Sequence, residues 1–297
     1  MSNVTYAERK LSELSKLSKL SVKDGTVLHV EHHPAVGPAR ATLVMLHGFA
    51  VHCGRHRQVA EALSRFGLAV TAFDCRGHGL STGRRGYVRR FADFLDDLHE
   101  VIESASRDDP RRPLVVLGHS HGATVALRYA LTTRSTLHAL VLAAPWLELK
   151  LAVPRWKLAL AQMVGGVWPT LAMGNELRSS DTTRDPTARE RWADDPLAHQ
   201  VATPRWFNEV RAAQAYILGH PDTLRVPTLI AVPGDDRIVS SERTLAFARA
   251  ARAMVDVKVY PEAYHELFLE PDWRTIVEDF ASWVVARLPA PYTSVSA

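Results

Sequence analysis

Ser120 stands in a pattern that is typical of a catalytic nucleophile. A short apolar run, Pro113–Leu117, precedes Gly118–Gly122 (GHSHG), and a helix rich in Ala and Leu is predicted directly after it. Glycines on both sides of a serine permit a tight turn that exposes the hydroxyl at the edge of a sheet, beside a helix N-terminus. The helix dipole and the backbone N–H after the serine favour negative charge at that point. We therefore predict that Ser120 is the nucleophile.

The same five-residue pattern occurs again at Gly79–Gly83 (GLSTG). Several residues separate it from the preceding predicted strand, which ends at Phe73, and no helix follows it directly. We interpret Ser81 as a loop residue. The pattern is therefore weak evidence alone, and the strand and helix around Ser120 make the prediction specific.

A serine hydroxyl becomes a good nucleophile when a base removes its proton, and a third group must orient that base. Partners of this kind follow later strands, in the order serine, acid, histidine. Asp235 and Asp236 follow the predicted strand Leu229–Val232, and His265 follows Val255–Tyr260. All three lie at carboxyl ends of strands, where sites form in parallel sheets. His265 is the predicted base, whereas spacing leaves the acid open between Asp235 and Asp236.

An oxyanion site is expected beside the nucleophile. The loop after the predicted strand Ala41–Leu46 brings one donor, and the residue after Ser120 brings another. We predict the backbone N–H groups of Phe49 and His121, each contributing about 2.7–4 kcal/mol in acyl transfer.

Several histidines lie near these motifs, but no zinc-like pattern such as HExxH or CxxC accompanies them. We therefore predict no metal and no cofactor. These histidines are His47, His52, His56, His119 and His121.

The elements that must position these residues alternate along the chain from residue 22. Continuous apolar runs indicate strands buried on both faces, and apolar residues at helical spacing indicate helices between them. This alternation predicts an α/β fold, with a mostly parallel sheet flanked by helices. The predicted strands are 26–31, 41–46, 68–73, 114–117, 139–143, 229–232 and 255–260, and the predicted helices are 56–66, 91–104, 121–132, 245–253 and 275–288.

The alternation breaks between Trp146 and about residue 223, where Pro, Trp and helix-forming residues dominate. We expect a helical cap or lid over 146–223. Trp146, Trp156 and Trp168 are the predicted substrate-pocket residues, because an aromatic insertion between core strands is typical of a cover over a site. The alternative is a second small helical core. The expected boundaries are 1–21 for an N-terminal tail or added helix, 22–145 and 224–289 for the two core parts, and 290–297 for a C-terminal tail.

The N-terminal segment has leucines at every third position from Leu11 to Leu20. As a helix it would carry a narrow apolar stripe, which is compatible with contact to a membrane surface. No apolar core with a small-residue cleavage site is seen near the start of the chain. We therefore expect a cytoplasmic protein with at most peripheral membrane contact.

Length and composition exclude several classes of protein. The chain has 297 residues, of which 46% are apolar and 23% charged, so it can bury a substantial core and is neither disordered nor a multi-span membrane protein. The net charge of +4 comes without a nucleic-acid-binding module, so no nucleic-acid partner is predicted. Cys53 and Cys75 form no disulfide framework and are expected to be free thiols. Nothing in the sequence predicts an oligomeric state.

Several motifs resemble those of the monoacylglycerol lipase and lysophospholipase branch of the α/β-hydrolases. The resemblance covers roughly Lys23–Leu288 and implies an α/β-hydrolase fold with an eight-stranded-type sheet and a helical cap. The motifs are His47–Arg55, Phe73–Gly83, Gly118–Gly122, Asp195–Leu197, Asp236–Val239 and His265–Leu267.

The resemblance also assigns roles to single residues. In this family the Asp-Arg-Ile-Val motif carries the triad acid, which favours Asp236 over Asp235. The residues that match Phe49 and His121 supply the oxyanion hole. His121 stands where the family often has Met, a departure that bears on the substrate.

These features predict a serine carboxylester hydrolase that acts through Ser120, His265 and Asp236 and an acyl-enzyme. The apolar cap favours a lipid-like ester as the small-molecule partner, either a monoacylglycerol or a lysophospholipid. The alternatives are an esterase for small or secondary-metabolite esters, an acyltransferase on the same scaffold, and a catalytically silent ligand-binding protein. A haloalkane dehalogenase is excluded, because it would need Asp at position 120.

Overall fold

An eight-stranded sheet forms the centre of the protein. The computed structural model describes residues 16–132, 136–151, 163, 168–251 and 254–289. Two very short strands, β7 and β8, pair in a separate ribbon. The strands are β1 (Lys16–Ser21), β2 (Val27–His33), β3 (Ala41–Leu46), β4 (Leu68–Phe73), β5 (Leu114–His119), β6 (Ala139–Ala143), β7 (Met173–Gly174), β8 (Val201–Ala202), β9 (Thr228–Pro233) and β10 (Val255–Tyr260).

The strands of the large sheet lie in the order β1-β2-β4-β3-β5-β6-β9-β10. The six strands from β4 to β10 in this order run parallel, whereas β2 pairs antiparallel with both β4 and β1. The prediction of an α/β fold with a mostly parallel sheet is confirmed.

Both faces of the sheet are covered by apolar packing. Every residue of β3, β5, β6 and β9 is buried. Along β3, Leu43 and Met45 join one apolar cluster, and Val44 and Leu46 join the other. Alternate side chains therefore serve opposite layers, which explains why these strands are apolar at every position.

Helices pack on the two faces between successive strands. Each helix predicted from the sequence is present, with ends displaced by a few residues. Within the described ranges, no helix has the length and apolar character needed to cross a bilayer. The α-helices are α1 (Arg57–Ser64), α2 (Ala92–Ala105), α3 (His121–Ala130), α4 (Pro186–Ala193), α5 (Pro204–Gly219), α6 (Ser241–Ala251) and α7 (Trp273–Val285).

The expectation of a tail or an added helix over 1–21 is wrong for residues 16–21. This segment is β1, an edge strand that pairs antiparallel with β2. Its side chains are mostly exposed, and Leu17 is 62% exposed. Backbone pairing therefore holds the strand, and the three-residue spacing of its leucines does not correspond to a buried face. Residues 1–15 lie outside the described residues.

The described part of the insertion between β6 and β9 contains α4, α5 and the β7–β8 ribbon. Each helix begins at a capped proline: the side chain of Asp185 accepts from the backbone at the start of α4, and that of Thr203 does so at the start of α5. This arrangement is a strong helix start. The ribbon has no counterpart in the sequence analysis, because two-residue strands leave no periodic signal.

Hydrogen bonds fasten this insertion to the core. Thr203 donates to the carbonyl of Gly86 through both its backbone N–H and its hydroxyl, at 2.9 and 2.7 Å. The backbone N–H of His199 donates to the carbonyl of Ala50 at 2.9 Å. The insertion is thus held over the loop that follows β3.

The register of the parallel strands collects the candidate site residues at one edge of the sheet. Leu46 lies opposite Gly118, His119 opposite Ala143, and Tyr260 opposite Pro233. The loops that follow these strands therefore emerge together at the carboxyl edge, where sites form in parallel sheets.

Gly122 provides the first test of this packing. A Cβ atom at Gly122 would lie 2.4 Å from the carbonyl oxygen of His47, so Gly122→Ala must displace backbone. We expect this change to lower the free energy of unfolding by about 3 kcal/mol, as measured by urea denaturation. Gly219→Ala is the control, because a Cβ atom there meets open space, and we expect a change within about 0.5 kcal/mol. Equal losses in both variants would contradict this account.

Candidate active site

Ser120 lies in the turn between β5 and α3. Its backbone angles, φ 52° and ψ −115°, fall in a region that non-glycine residues rarely adopt, which costs about 1–3 kcal/mol. The turn is held by a hydrogen bond of 2.9 Å from the Ser120 N–H to the carbonyl of Ala143. A Cβ atom at Gly118 would lie 2.5 Å from the carbonyl of Gly122, so only glycine allows this close approach. The backbone therefore presents the hydroxyl at the sheet edge.

A chain of hydrogen bonds joins three predicted side chains. Ser120 Oγ lies 2.8 Å from His265 Nε2, and His265 Nδ1 lies 2.8 Å from Asp236 Oδ2. A carboxylate only accepts, so Nδ1 carries the proton and Nε2 accepts from the serine hydroxyl. All three residues are buried. In this geometry the imidazole can take the proton of the serine.

The two neighbouring aspartates have different surroundings. Asp236 is fully buried, and its Oδ1 accepts from the backbone N–H groups of Ile238 and Val239 at 2.8 and 2.9 Å. Its other oxygen is left for His265. Asp235 is exposed and pairs with Arg237 at 3.2 Å. The structure therefore brings Asp236, and not Asp235, to the histidine.

The charges around His265 favour its protonated ring. Burial alone would lower the pKa of His265. The charge and hydrogen bond of Asp236, with a smaller effect from the charge of Glu266, outweigh burial and raise this pKa above its ordinary value of 6.5. The site thus stabilises the imidazolium that forms when the ring accepts a proton. Glu266 lies directly after His265 and was predicted only as a member of the His265–Leu267 motif, without a role of its own.

The loop after β3 is held in place beside Ser120 by contacts from two sides. The His47 side chain donates from Nδ1 to the carbonyl of Gly48 at 2.6 Å and accepts at Nε2 from the backbone N–H of Cys75 at 3.0 Å. The ring of Phe49 stacks on Trp206 of α5, with centroids 3.7 Å apart. One contact comes from the core and the other from the insertion, so both set the position of this loop.

The backbone N–H groups of Phe49 and His121 form no hydrogen bond with any other described residue. Two backbone donors without a partner, in the loops next to Ser120, are what an oxyanion site would need. The side chain of His121 is buried, and burial lowers its pKa to about 3. This neutral ring lies among aromatic rings, those of Phe49, Phe91, Phe94, Trp146 and Trp206.

The hydroxyl of Ser81 makes two hydrogen bonds with the backbone around it. It donates to the carbonyl of Asp74 at 2.6 Å and accepts from the backbone N–H of His29 at 2.9 Å. The carboxylate of Asp74 accepts from the backbone N–H groups of Cys53 and Leu80, both at 2.7 Å. The second GxSxG pattern therefore lies in a loop, as predicted, and its serine holds that loop together.

Ser120 and His265 line a cavity between the sheet edge and the insertion. The wall is largely aromatic and aliphatic. Its polar positions include Asn175, Glu176 and Thr182. The apolar lining residues are Phe49, Val51, Trp146, Leu149, Leu151, Met173, Leu177, Trp192, Ala202, Trp206, Phe207, Ile238 and Val239.

The tryptophans predicted for the pocket have different positions. Trp146 lines the cavity. Trp168 is 60% exposed and is not part of the lining, because it begins a turn that leaves its ring in solvent. The structure therefore does not place Trp168 in the wall of this cavity, and Trp156 lies outside the described residues. Trp192 and Trp206 line the cavity instead, and the sequence shows only that both belong to the insertion between the core strands.

Potential metal ligands form two groups in the described part of the chain. One contains His29, Cys53 and Asp74, and the other contains His56, His119 and Glu266; in each group the ligand atoms lie within 4.8 Å of one another. Both oxygens of Asp74 already accept backbone hydrogen bonds, and burial raises the pKa of the Cys53 thiol. Cys53 and Cys75 are free, as predicted.

Comparisons of this chain with a family model and with known proteins agree on its family. Residues 37–272 match a protein family described as serine aminopeptidase, S33. A monoacylglycerol lipase from Mycolicibacterium smegmatis is 32% identical over 251 residues, which cover 84% of this chain and 89% of that protein. Phospholipase YtpA from Bacillus subtilis is 27% identical over 237 residues, 78% of this chain and 90% of that protein.

A solved structure is similar over most of its length. The monoacylglycerol lipase of Paleococcus ferrophilus superposes with a TM-score of 0.80 at 26% identity, covering 88% of this chain and 99% of that chain. This similarity confirms the predicted α/β-hydrolase fold with its eight-stranded sheet. The chain belongs to the serine aminopeptidase S33 family and is an α/β-hydrolase and carboxylic ester hydrolase of the monoacylglycerol lipase type.

Proposed function

We propose that this protein hydrolyses lipid-like monoesters, with monoacylglycerols as the first substrate class, through a Ser120–His265–Asp236 triad and an acyl-enzyme. The observation that carries the proposal is the pair of 2.8 Å hydrogen bonds that link these side chains beside an apolar cavity. Neither a purely structural serine nor a silent binding site requires this alignment.

In the first half of the reaction, Ser120 Oγ attacks the ester carbonyl carbon while His265 Nε2 accepts the hydroxyl proton. Asp236 holds the ring in the required tautomer and stabilises its charged form. The carbonyl oxygen becomes an oxyanion, and the backbone N–H groups of Phe49 and His121 are its donors. The intermediate collapses when His265 returns the proton to the leaving alcohol, which leaves the acyl group on Ser120.

In the second half, a water molecule takes the position of the alcohol. His265 removes a proton from this water as it attacks the acyl carbon, and the same donors bind the second oxyanion. Ser120 recovers its proton from the imidazolium, and the carboxylic acid is released. The raised pKa of His265 supports both halves, because each passes through the protonated ring.

The walls of the cavity support a single acyl chain as the bound group. Trp192, Trp206 and Leu149 are among its many apolar lining residues, and each methylene they bury stabilises the complex by about 0.8 kcal/mol. The relatives named monoacylglycerol lipase support a glycerol monoester, and the relative named phospholipase supports a lysophospholipid as the second choice.

Ser120→Ala tests the nucleophile. We expect kcat to fall by about 10⁶-fold, as it does when a triad serine is removed, and labelling by a fluorophosphonate probe to disappear. Ser81→Ala is the matched control, since it removes a buried serine from the same sequence pattern. It should lose about 1–3 kcal/mol of stability, because two buried hydrogen bonds are lost, and keep its labelling. The opposite result in the two variants would refute the assignment.

Replacing each aspartate of the Asp235-Asp236 pair by asparagine tests the acid. Asp236→Asn removes the carboxylate that fixes the tautomer of His265, so we expect kcat to fall by about 10⁴-fold. Asp235→Asn changes an exposed side chain and should leave the rate nearly unchanged. The measurement is steady-state hydrolysis of p-nitrophenyl butyrate. Modest and equal losses would show that neither carboxylate acts as proposed.

The dependence of rate on acyl length tests the substrate class. Across p-nitrophenyl esters of increasing length, we expect kcat/KM to rise by about fourfold per methylene until the cavity is filled. Trp192→Ala should flatten this rise, because the indole is part of the wall. Trp168→Ala is the control, since that ring is exposed and lies outside the lining. A maximum at acetyl esters with no effect of Trp192→Ala would exclude the lipid-like substrate while leaving the ester hydrolysis intact.

A further inference from the structure

Three buried side chains lie beside His265, and none of them exchanges a proton or binds a reacting atom in the proposed reaction. His56 ends a short 3₁₀ turn after the β3 loop, His119 is the last residue of β5, and Glu266 directly follows His265. All three are buried, and His119 is fully buried. We propose that this group, here called the His–Glu cluster, binds a zinc ion.

The spacing of the ligand atoms suits zinc. Zinc bonds to His and carboxylate ligands are about 2.0–2.2 Å long, so ligand atoms around a tetrahedral ion lie roughly 3.3–3.6 Å apart. Glu266 Oε2 accepts a hydrogen bond of 3.2 Å from His56 Nε2, so a zinc ion would replace this proton and the ring would carry its proton on Nδ1 instead; Glu266 Oε1 lies 3.9 Å from His119 Nδ1. All ligand atoms of the group lie within 4.8 Å of one another. Side-chain shifts of a few tenths of an ångström up to about 1 Å therefore complete three sides of the site.

The tautomer of His119 points to a cation at this place. Its Nε2 lies 3.1 Å from the carbonyl oxygen of His265, and because a carbonyl only accepts, Nε2 carries the proton. Nδ1 is then a bare lone pair. It is buried, has no hydrogen-bond partner among the described residues, and faces the carboxylate of Glu266. Two electron-rich atoms facing each other in a dry interior are stabilised by a cation between them.

The contact between His119 and His265 also matches metal chemistry. A histidine that binds a metal through one ring nitrogen usually donates its other N–H to a carboxylate, a backbone carbonyl or water, which fixes the ring. His119 already makes this bond. Two nitrogens and one carboxylate favour zinc or a similar transition metal, whereas calcium and magnesium prefer sites made of oxygen ligands. The fourth position is left for water.

The cluster is connected to the cavity. Glu266 is one of the cavity-lining residues, and its carboxylate oxygens face His56 and His119. An ion at the cluster would join the β3 loop, the strand end before Ser120 and the residue after His265. If the proposed function holds, the ion also places positive charge beside a ring that must become positive, so zinc slows hydrolysis.

Cobalt(II), which takes the place of zinc in such sites, provides a readout that is independent of activity. The protein is dialysed against a chelator and titrated with CoCl₂ while visible absorption is recorded, and ZnCl₂ binding is measured by calorimetry. We expect one zinc per chain and the d–d absorption of four-coordinate cobalt, without a sulfur-to-cobalt charge-transfer band. Such a band, abolished by Cys53→Ala, would place the ion in the group of His29, Cys53 and Asp74 and overturn the proposal.

Two variants remove different ligands. His56→Phe keeps the size of the ring, and Glu266→Gln keeps the size of the carboxylate; in each folded variant, checked by circular dichroism, we expect zinc to bind at least about tenfold more weakly. His220→Asn is the control, because His220 is exposed and lies outside the cluster. Absence of zinc binding, or equal binding in wild type and His56→Phe, overturns the proposal.

Activity then separates this proposal from the proposed function. Zinc should inhibit hydrolysis in the wild type and in His220→Asn, and inhibition in His56→Phe should need at least about tenfold more zinc. A protein that hydrolyses none of the esters but shows the cobalt spectrum would refute the proposed function alone. Equal inhibition of wild type and His56→Phe would overturn the proposal for the cluster.

Discussion

The strained turn at Ser120 is the constraint on which the site depends. A positive φ at a non-glycine residue is unfavourable by about 1–3 kcal/mol, and it persists only where the surrounding structure leaves no alternative. β5 lies inside the sheet with a parallel neighbour on each side. At Gly118 and Gly122, neighbouring backbone atoms lie so close that a Cβ atom would clash with them. The stability of the central sheet thus offsets the strain that exposes the hydroxyl.

Different interactions hold the other residues of the site next to this turn. Asp236 is fixed by two backbone N–H groups, so only one of its oxygens is free to orient His265. The loop after β3 depends on both the core and the insertion, because His47 is hydrogen-bonded to Cys75 and Phe49 stacks on Trp206 of α5. A movement of the insertion would therefore change the wall of the cavity and the position of the Phe49 backbone together.

Much of this arrangement could be predicted from the sequence, because continuous apolar runs mark strands buried on both faces and chemistry follows their carboxyl ends. Ser120 and His265 were predicted on this basis. β1 could not be predicted, since backbone pairing holds it and its side chains are exposed. The lining by Trp192 also depends on how the insertion folds back over the sheet, which no local pattern records.

The sequence did not predict the His–Glu cluster, since His56 and His119 were weighed as metal ligands and set aside because no zinc-like pattern accompanies them. Its residues belong to three separate loops or strand ends, and no local spacing links them. Two residues of the cluster are also direct neighbours of Ser120 and His265 in the chain. His119 precedes Ser120 and donates to the carbonyl of His265, while Glu266 follows His265. A change in the charge of the cluster, or in the position of its rings, therefore acts on Ser120 and His265 at once, through backbone that is already strained at Ser120.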